Sequence, residues 1–308
     1  MIASNKNKCT AFKKIKKQKY LLLLLLPGLL YYIIFRYIPM YGVLIAFKKY
    51  DFRLGIWGSP WVGLKYFEQF VFGPYFWRLV KNTFLLSFYD LIFGFPIPII
   101  FALLLNEIKS KKFKSTVQTI SYLPHFISVV IVVGLLKTML SPNGGAINNI
   151  IEFLGGQQIN FFMEKNWFRT LYVSSGIWQG FGWGSIIYLA TMAGINPQLY
   201  EAARMDGAGR FKCMWHVTLP GIKPTIVVLL ILRLGRILSV GFEKVILMYN
   251  PKIYETADII STYVYRYGIL KANYSFGTAV GLMNSLVALM LIVITNKISK
   301  KVSDTSLW

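Results

Sequence analysis

The sequence predicts an all-α fold, a polytopic membrane helix bundle of six transmembrane helices. Three observations carry the prediction. Of 308 residues, 55% are apolar and only 15% charged, against roughly 25% charged in an ordinary soluble chain, so too few charges remain to coat a water-soluble surface. Six stretches each reach the roughly 20 apolar residues that cross a hydrocarbon layer of about 30 Å as helix. Lys and Arg number 34 against 12 Asp and Glu. In an apolar chain that excess reads as cationic loops on the cytoplasmic side of a bilayer, not as a nucleic-acid surface. The same composition excludes disorder, collagen and a disulfide scaffold.

Residues 1–19 form a basic tail with Lys6, Lys8, Lys13, Lys14, Lys16, Lys17 and Lys19. The first span, 20–47, opens with six consecutive leucines and carries Pro27 and Pro39. It is too long for a signal peptide and no small-residue cleavage pattern follows, so it reads as a retained span. The second span is 79–106. The third, 119–140, follows the basic loop Lys109, Lys111, Lys112 and Lys114. The fourth, fifth and sixth are 167–193, 224–249 and 275–296, and residues 303–308 are a short tail. Residues 20–302 thus form one transmembrane domain. Loop by loop, 18 Lys and Arg lie on the side of the termini and 8 on the other, which places both termini in the cytoplasm. Cys9 and Cys213 are then cytoplasmic and expected to be free thiols. The outer segments are aromatic (Trp57, Trp61, Tyr66, Phe67, Tyr75, Phe76, Trp77), as an interfacial belt would be. Gly176, Gly180 and Gly184, and again Gly277 and Gly281, make small-residue ridges of the kind that let helices approach in lipid.

The loop 194–223 is too long for a plain connector. Asn196 is an expected N-cap with Pro197 at the first helical position. Leu199 to Met205 form a short helix that Gly207 and Gly209 can end through a left-handed residue. A second amphipathic piece follows with Phe211, Met214, Trp215 and Val217, and Pro220 is expected to stop it. Two short helices at a sharp turn make a protruding knob suited to a partner's groove. For Glu201 the bland alternative is a helical pair with Arg204, and for Asp206 a pair with Arg210.

Glu201-Ala202-Ala203, Gly207, Val217 and Leu219-Pro220 together resemble the EAA signature of ABC-importer permeases, with valine where isoleucine is usual. Ser121 to Ser128, Ile186 to Leu189, Gly241-Phe242-Glu243, Tyr249-Asn250-Pro251 and Thr262 to Tyr265 resemble its oligosaccharide and polysaccharide branch, which includes the LplB-type permeases and the alginate importer. The resemblance covers about residues 15 to 302. It implies the MetI-like, type I importer permease fold in a bacterial inner (cytoplasmic) membrane. Glu201, Ala202, Ala203, Asp206, Gly207, Leu219 and Pro220 then couple the chain to a cytoplasmic ATPase. The implied partners are two such ATPase subunits, a second homologous permease making a heterodimer, an extracellular solute-binding lipoprotein, membrane lipid, and an oligosaccharide or complex glycan carried by alternating access.

Ionisable groups inside a bilayer are costly and need a reason. Asp90 in the second span and Arg233 and Arg236 in the fifth line a polar cavity, with Asp90 facing Arg233, or else the arginines snorkel to the cytoplasmic interface. Tyr122, Trp178, Gln179, Trp183, Tyr188, Glu243 and Asn284 are the candidates for a sugar path, since an aromatic face with nearby polar acceptors suits a sugar ring. Bundle packing is the alternative for each. The sequence has no Gly-x4-Gly-Lys-Ser/Thr and no Gly-Lys dipeptide, so ATP and Mg are expected on the partner ATPase, with no cofactor in this chain. No metal site and no catalytic constellation is expected, hence no enzymatic activity. The rival readings are an ion-coupled secondary transporter, for which Asp90 is the candidate coupling carboxylate, and a passive channel or assembly protein.

Overall fold

The computed structural model describes residues 18–235 and 240–303. Most of the basic tail, Cys9, Arg236 and residues 304–308 lie outside them. Among the described residues the only β pairing is an isolated antiparallel bridge, Lys48 with Trp61.

Helix α1 is Lys19–Phe47. It carries Pro27 and tightens after a π turn at Ile33–Tyr37. Its residues are exposed through Tyr41 and none is buried before Ala46, which suits a helix whose solvent is lipid. Helix α2, Phe76–Asn106, contains a π turn at Asp90–Gly94 just before Pro96. The expected third span is not one straight helix. Lys111–Phe126 (α3) and Val129–Met139 (α4) meet at a 98° bend. Pro124 sits where the helix tightens, Ile127 is extended, and Ser128 caps α4 by accepting from the Ile131 N–H, a hydroxyl cap that favours restarting the helix.

Helix α5, Phe168–Ala193, runs 26 residues without a break through the bundle. Short helix α6, Pro197–Met205, leads into α7, Arg210–Gly235. Pro220 does not stop α7. A π turn at Met214–Thr218 lets the Leu219 N–H reach back five residues to the Met214 carbonyl, and this wider turn accommodates the ring and the missing donor. The expected fifth span is interrupted as well. Val240 and Gly241 are non-helical, and α8, Phe242–Met248, begins after them. Helix α9 is Tyr274–Ser303. Among the described residues four continuous helices (α1, α2, α7 and α9) are long and apolar enough to cross a membrane, and the bent pair α3–α4 makes a fifth. Helix α5 fills the sixth expected segment.

The glycine ridges are only partly used. Gly180 and Gly281 face open space. The closest approach is at Gly182, where a Cβ would collide with the Ser121 backbone, so α3 and α5 touch backbone to backbone. A Cβ on Gly277 would lie 3.0 Å from the Gly268 Cα.

One end of the bundle gathers the segments 48–75, 141–166 and 250–273. Its centre is Asp258, fully buried, which takes two hydrogen bonds from Arg266 at 2.8 and 2.7 Å and one from Arg78 at 3.1 Å. The Thr262 hydroxyl donates to the same carboxylate at 2.9 Å. Asn82 donates to the carbonyls of Asp258 and Glu255, and accepts from Arg169 at 2.9 Å. The Arg266 guanidinium also lies 4.4 Å from the Tyr254 ring centre. Burial disfavours the Arg266 cation, yet the hydrogen bonds and charge of Asp258 outweigh it and raise its pKa above the ordinary arginine value. Burial also pushes Tyr263 beside it up to about 12. This network ties the starts of α2 and α5 to the segment before α9. Replacing Asp258 with Ala strands two guanidinium groups and is expected to cost about 3 kcal/mol, read as earlier loss of monodisperse protein on heating in detergent. An unchanged melting profile would show that the bundle does not depend on these pairs.

Candidate functional site

The first candidate region is the elbow formed by α6 and the start of α7. Asn196 caps α6, its side-chain oxygen accepting from the Gln198 N–H at 3.0 Å, with Pro197 in the first turn. The helix ends in a Schellman turn: the Ala208 N–H donates to the Ala203 carbonyl at 2.9 Å and the Gly207 N–H to Arg204 at 3.0 Å. Gly207 carries the left-handed backbone, φ +78°, and a Cβ there would meet nothing within 4 Å. Glycine is therefore required by conformation and not by space. Gly209 is extended and takes no part in ending the helix.

Above this turn the elbow is uncovered. Met205, Phe211, Trp215 and Leu199 are 88%, 79%, 65% and 54% exposed, and Glu201, Ala202, Asp206 and Pro220 are exposed beside them. Neither Glu201 with Arg204 nor Asp206 with Arg210 forms an ion pair, so both carboxylates face outward. Below the turn the elbow is locked. The Tyr200 hydroxyl bonds to the Thr218 hydroxyl at 3.0 Å, and Cys213 is a buried free thiol. Ile195, Leu219 and Ile222 pack with Ile99, Tyr188 and Met192. The signature residues thus divide into an exposed tip and a buried root.

The second region is a cavity of about 620 Å³ walled by α2, α5, α7 and the Val240–Lys244 segment. Asp90 and Arg233 are 143 residues apart in sequence, and their side chains form an ion pair on its wall. Of the residues the sequence singled out for a sugar path, Gln179 and Tyr188 line this cavity, while Tyr122, Trp178, Trp183, Glu243 and Asn284 do not. Trp183 stacks on His125 with ring centres 4.6 Å apart. Trp178 is 45% exposed, Tyr122 and Asn284 are half-buried, and Glu243 is exposed.

Sequence reading missed three polar wall residues: Ser87, Tyr172 and Lys244. In an unbroken span 224–249 nothing singles out Lys244. The interruption at Val240–Gly241 turns it inward, where it is buried and donates to the Tyr172 carbonyl at 2.8 Å. Ser87 was legible, since it lies three residues before Asp90 and shares its helix face. Helix α5 also repairs the two backbone breaks beside the cavity. The Tyr172 hydroxyl accepts from the Gly241 N–H at 3.0 Å, and Gln179 donates to the Ile127 carbonyl at 2.8 Å.

The family model described as binding-protein-dependent transport system inner membrane component matches residues 80–304. Among curated relatives, the chain is 49% identical over 295 residues to a polygalacturonan/rhamnogalacturonan transport system permease protein, YteP, of Bacillus subtilis, covering 96% of this chain and 92% of that one. It is 50% identical over 294 residues to Protein LplB of the same organism, with the same coverage. Among solved structures it is similar, at TM-score 0.89 and 46% identity, to a chain of a bacterial ABC transporter involved in the import of the acidic polysaccharide alginate, covering 96% of this chain and 99% of that one. A second structure of that importer, with the same figures, holds an alginate pentasaccharide-bound periplasmic protein.

Because Gly207 is held by its dihedral alone, Gly207→Ala is expected to cost about 1–2 kcal/mol locally. Amide exchange at positions 207 and 208 should quicken by roughly tenfold, while the melting of the bundle stays in place. Unchanged exchange would show that the left-handed turn is not a constraint.

Proposed function

The chain belongs to the family of binding-protein-dependent transport system inner membrane components, and from that premise we propose that it is the carbohydrate-carrying permease of an ATP-driven importer, moving oligosaccharides or complex glycans by alternating access. The observation that carries the reading is the continuity of α7. It is rooted in the exposed elbow at Arg210 and reaches the cavity at Arg233 within one helix. The similarity to permeases named for polygalacturonan, rhamnogalacturonan and alginate supports the cargo class.

In this mechanism the elbow is the cytoplasmic end, as the excess of basic residues in its loops supports, and both termini lie there with it. A partner ATPase seats Met205, Phe211 and Trp215 in a groove, and a basic group of that partner pairs with Glu201. Two such ATPases bind ATP and Mg, and this chain supplies no cofactor of its own. Ala202, Ala203, Asp206, Leu219 and Pro220 complete the coupling unit. A second homologous permease closes the pathway that one bundle cannot surround. The loop-rich end faces outward, where a solute-binding lipoprotein delivers the glycan. Closure of the ATPases pushes the elbow, α7 carries the displacement inward, and the cavity changes its access.

The ion-coupled alternative requires a carboxylate free to take up its ion. Asp90 is already paired with Arg233, which weighs against it. The test is uptake by the complete importer in liposomes. Uptake should need ATP inside and should fall at least tenfold with Gly207→Val, while the variant still inserts and assembles with its second permease. Uptake driven by an ion gradient without any ATPase would contradict the proposal, and so would full activity of the Gly207→Val importer.

A further inference from the structure

The cavity wall carries more positive charge than the protein itself neutralises. Arg233 is balanced by Asp90. Lys244 is not: its residue is 8% exposed, and its ammonium has the Tyr172 carbonyl at 2.8 Å and the face of the Tyr172 ring at 5.0 Å, both neutral. All the acidic residues except Asp304 are described, and none pairs with it; the acidic charge that acts on it is that of Asp90, which is already paired with Arg233. An ammonium has three donors, and a buried cation without a counter-charge of its own is costly. Space is kept in front of it. Gly176 stands opposite, and a Cβ there would lie 3.4 Å from the Lys244 Nζ with nothing else within 4 Å. A second observation points the same way. Ser87, on the same wall, is 8% exposed, and its hydroxyl oxygen has no hydrogen-bond partner. Around these groups the cavity offers Tyr172 and Phe95, flat faces suited to the C–H side of a sugar ring. Its volume falls within the range of about 300–1,000 Å³ usual for small-molecule sites.

The geometry points to an anion subsite in the transport cavity, in which Lys244 binds the carboxylate of a uronic acid residue and the Ser87 hydroxyl binds an oxygen of the same sugar unit. Lys244 is thus a specificity residue that favours acidic over neutral glycans. The assignment rests on the carbohydrate-permease reading and narrows its cargo. Asp90 keeps Arg233 from acting as a second strong anion site, so the selective charge is Lys244.

The test compares uptake of trigalacturonate with uptake of its fully methyl-esterified form, using the complete importer in liposomes with ATP. The same binding protein serves wild type and variant, so its own preference cancels in the variant-to-wild-type ratio. Lys244→Met should lower that ratio by about tenfold or more for trigalacturonate, the loss of one charge-assisted hydrogen bond, and by less than about twofold for the ester. Lys244→Arg should restore most uptake of the acid. If Lys244→Met does not assemble, Gly176→Ala poses the same question by filling the space before the ammonium, and it too should depress only the acid. Equal loss for both sugars, or loss for neither, would overturn the subsite and leave the permease reading intact. Wild-type uptake of neither sugar would remove the pectin-like cargo and the subsite together, and ATP-independent uptake of both would overturn the importer reading itself.

Discussion

The ion pair between Asp90 and Arg233 joins the two helices whose relative position defines the cavity. An ionisable group inside a bilayer costs about 2.5–3.5 kcal/mol on insertion scales, and the pairing offsets that cost for both. Arg233 also lies on the helix that starts at the elbow, 23 residues and so about 35 Å of helical rise away. The elbow and the pair thus share one continuous helix. Asp90 opens the π turn of α2, which places the contact where that helix is already off regular geometry, a feature common at functional sites.

The two ends of the bundle are built differently from its middle. At the loop-rich end Asp258 is fully buried and held by two arginines and a threonine. At the elbow end the apolar packing of Ile195, Leu219 and Ile222 fixes the root. Between them the backbone is broken at Ile127 and again at Val240–Gly241. Non-helical backbone at membrane depth survives only where protein or water satisfies it, and here α5 does so with Gln179 and Tyr172. The unbroken central helix is thus the reference against which the interrupted helices can move.

The helical class, the long apolar helices α1, α2 and α9 and the elbow were legible because hydropathy, caps and the Glu-Ala-Ala pattern are local signals. Asn196 and Gly207 sit where capping chemistry requires. The Asp90–Arg233 pair was legible as one of two alternatives, because costly charges in lipid seek partners. What the sequence concealed is long-range. The bend at Ile127 and the interruption at Val240–Gly241 are stabilised by side chains of α5, 52 and 69 residues away in sequence, and no local pattern announces them. Of these two neighbours the sequence offers Glu243 for the path, and the structure puts Lys244 on the cavity wall and leaves Glu243 off it. Pro220 misled in the opposite direction, since a π turn carries the helix past it. The aromatic side chains Trp178 and Trp183 were ambiguous from the start, because packing and sugar binding use the same rings.

Whether the elbow moves the cavity pair is measurable directly. With Cys9 and Cys213 replaced by alanine, Leu91→Cys on α2 and Leu229→Cys on α7, both on the cavity wall, can be joined by a short bismaleimide in the assembled importer with the ion pair intact. Coupling through α7 predicts that the rate of cross-linking changes several-fold when a non-hydrolysable ATP analogue closes the partner ATPases, and that Gly207→Val abolishes the change. Identical cross-linking with and without nucleotide would show that the force entering at the elbow never arrives at Arg233.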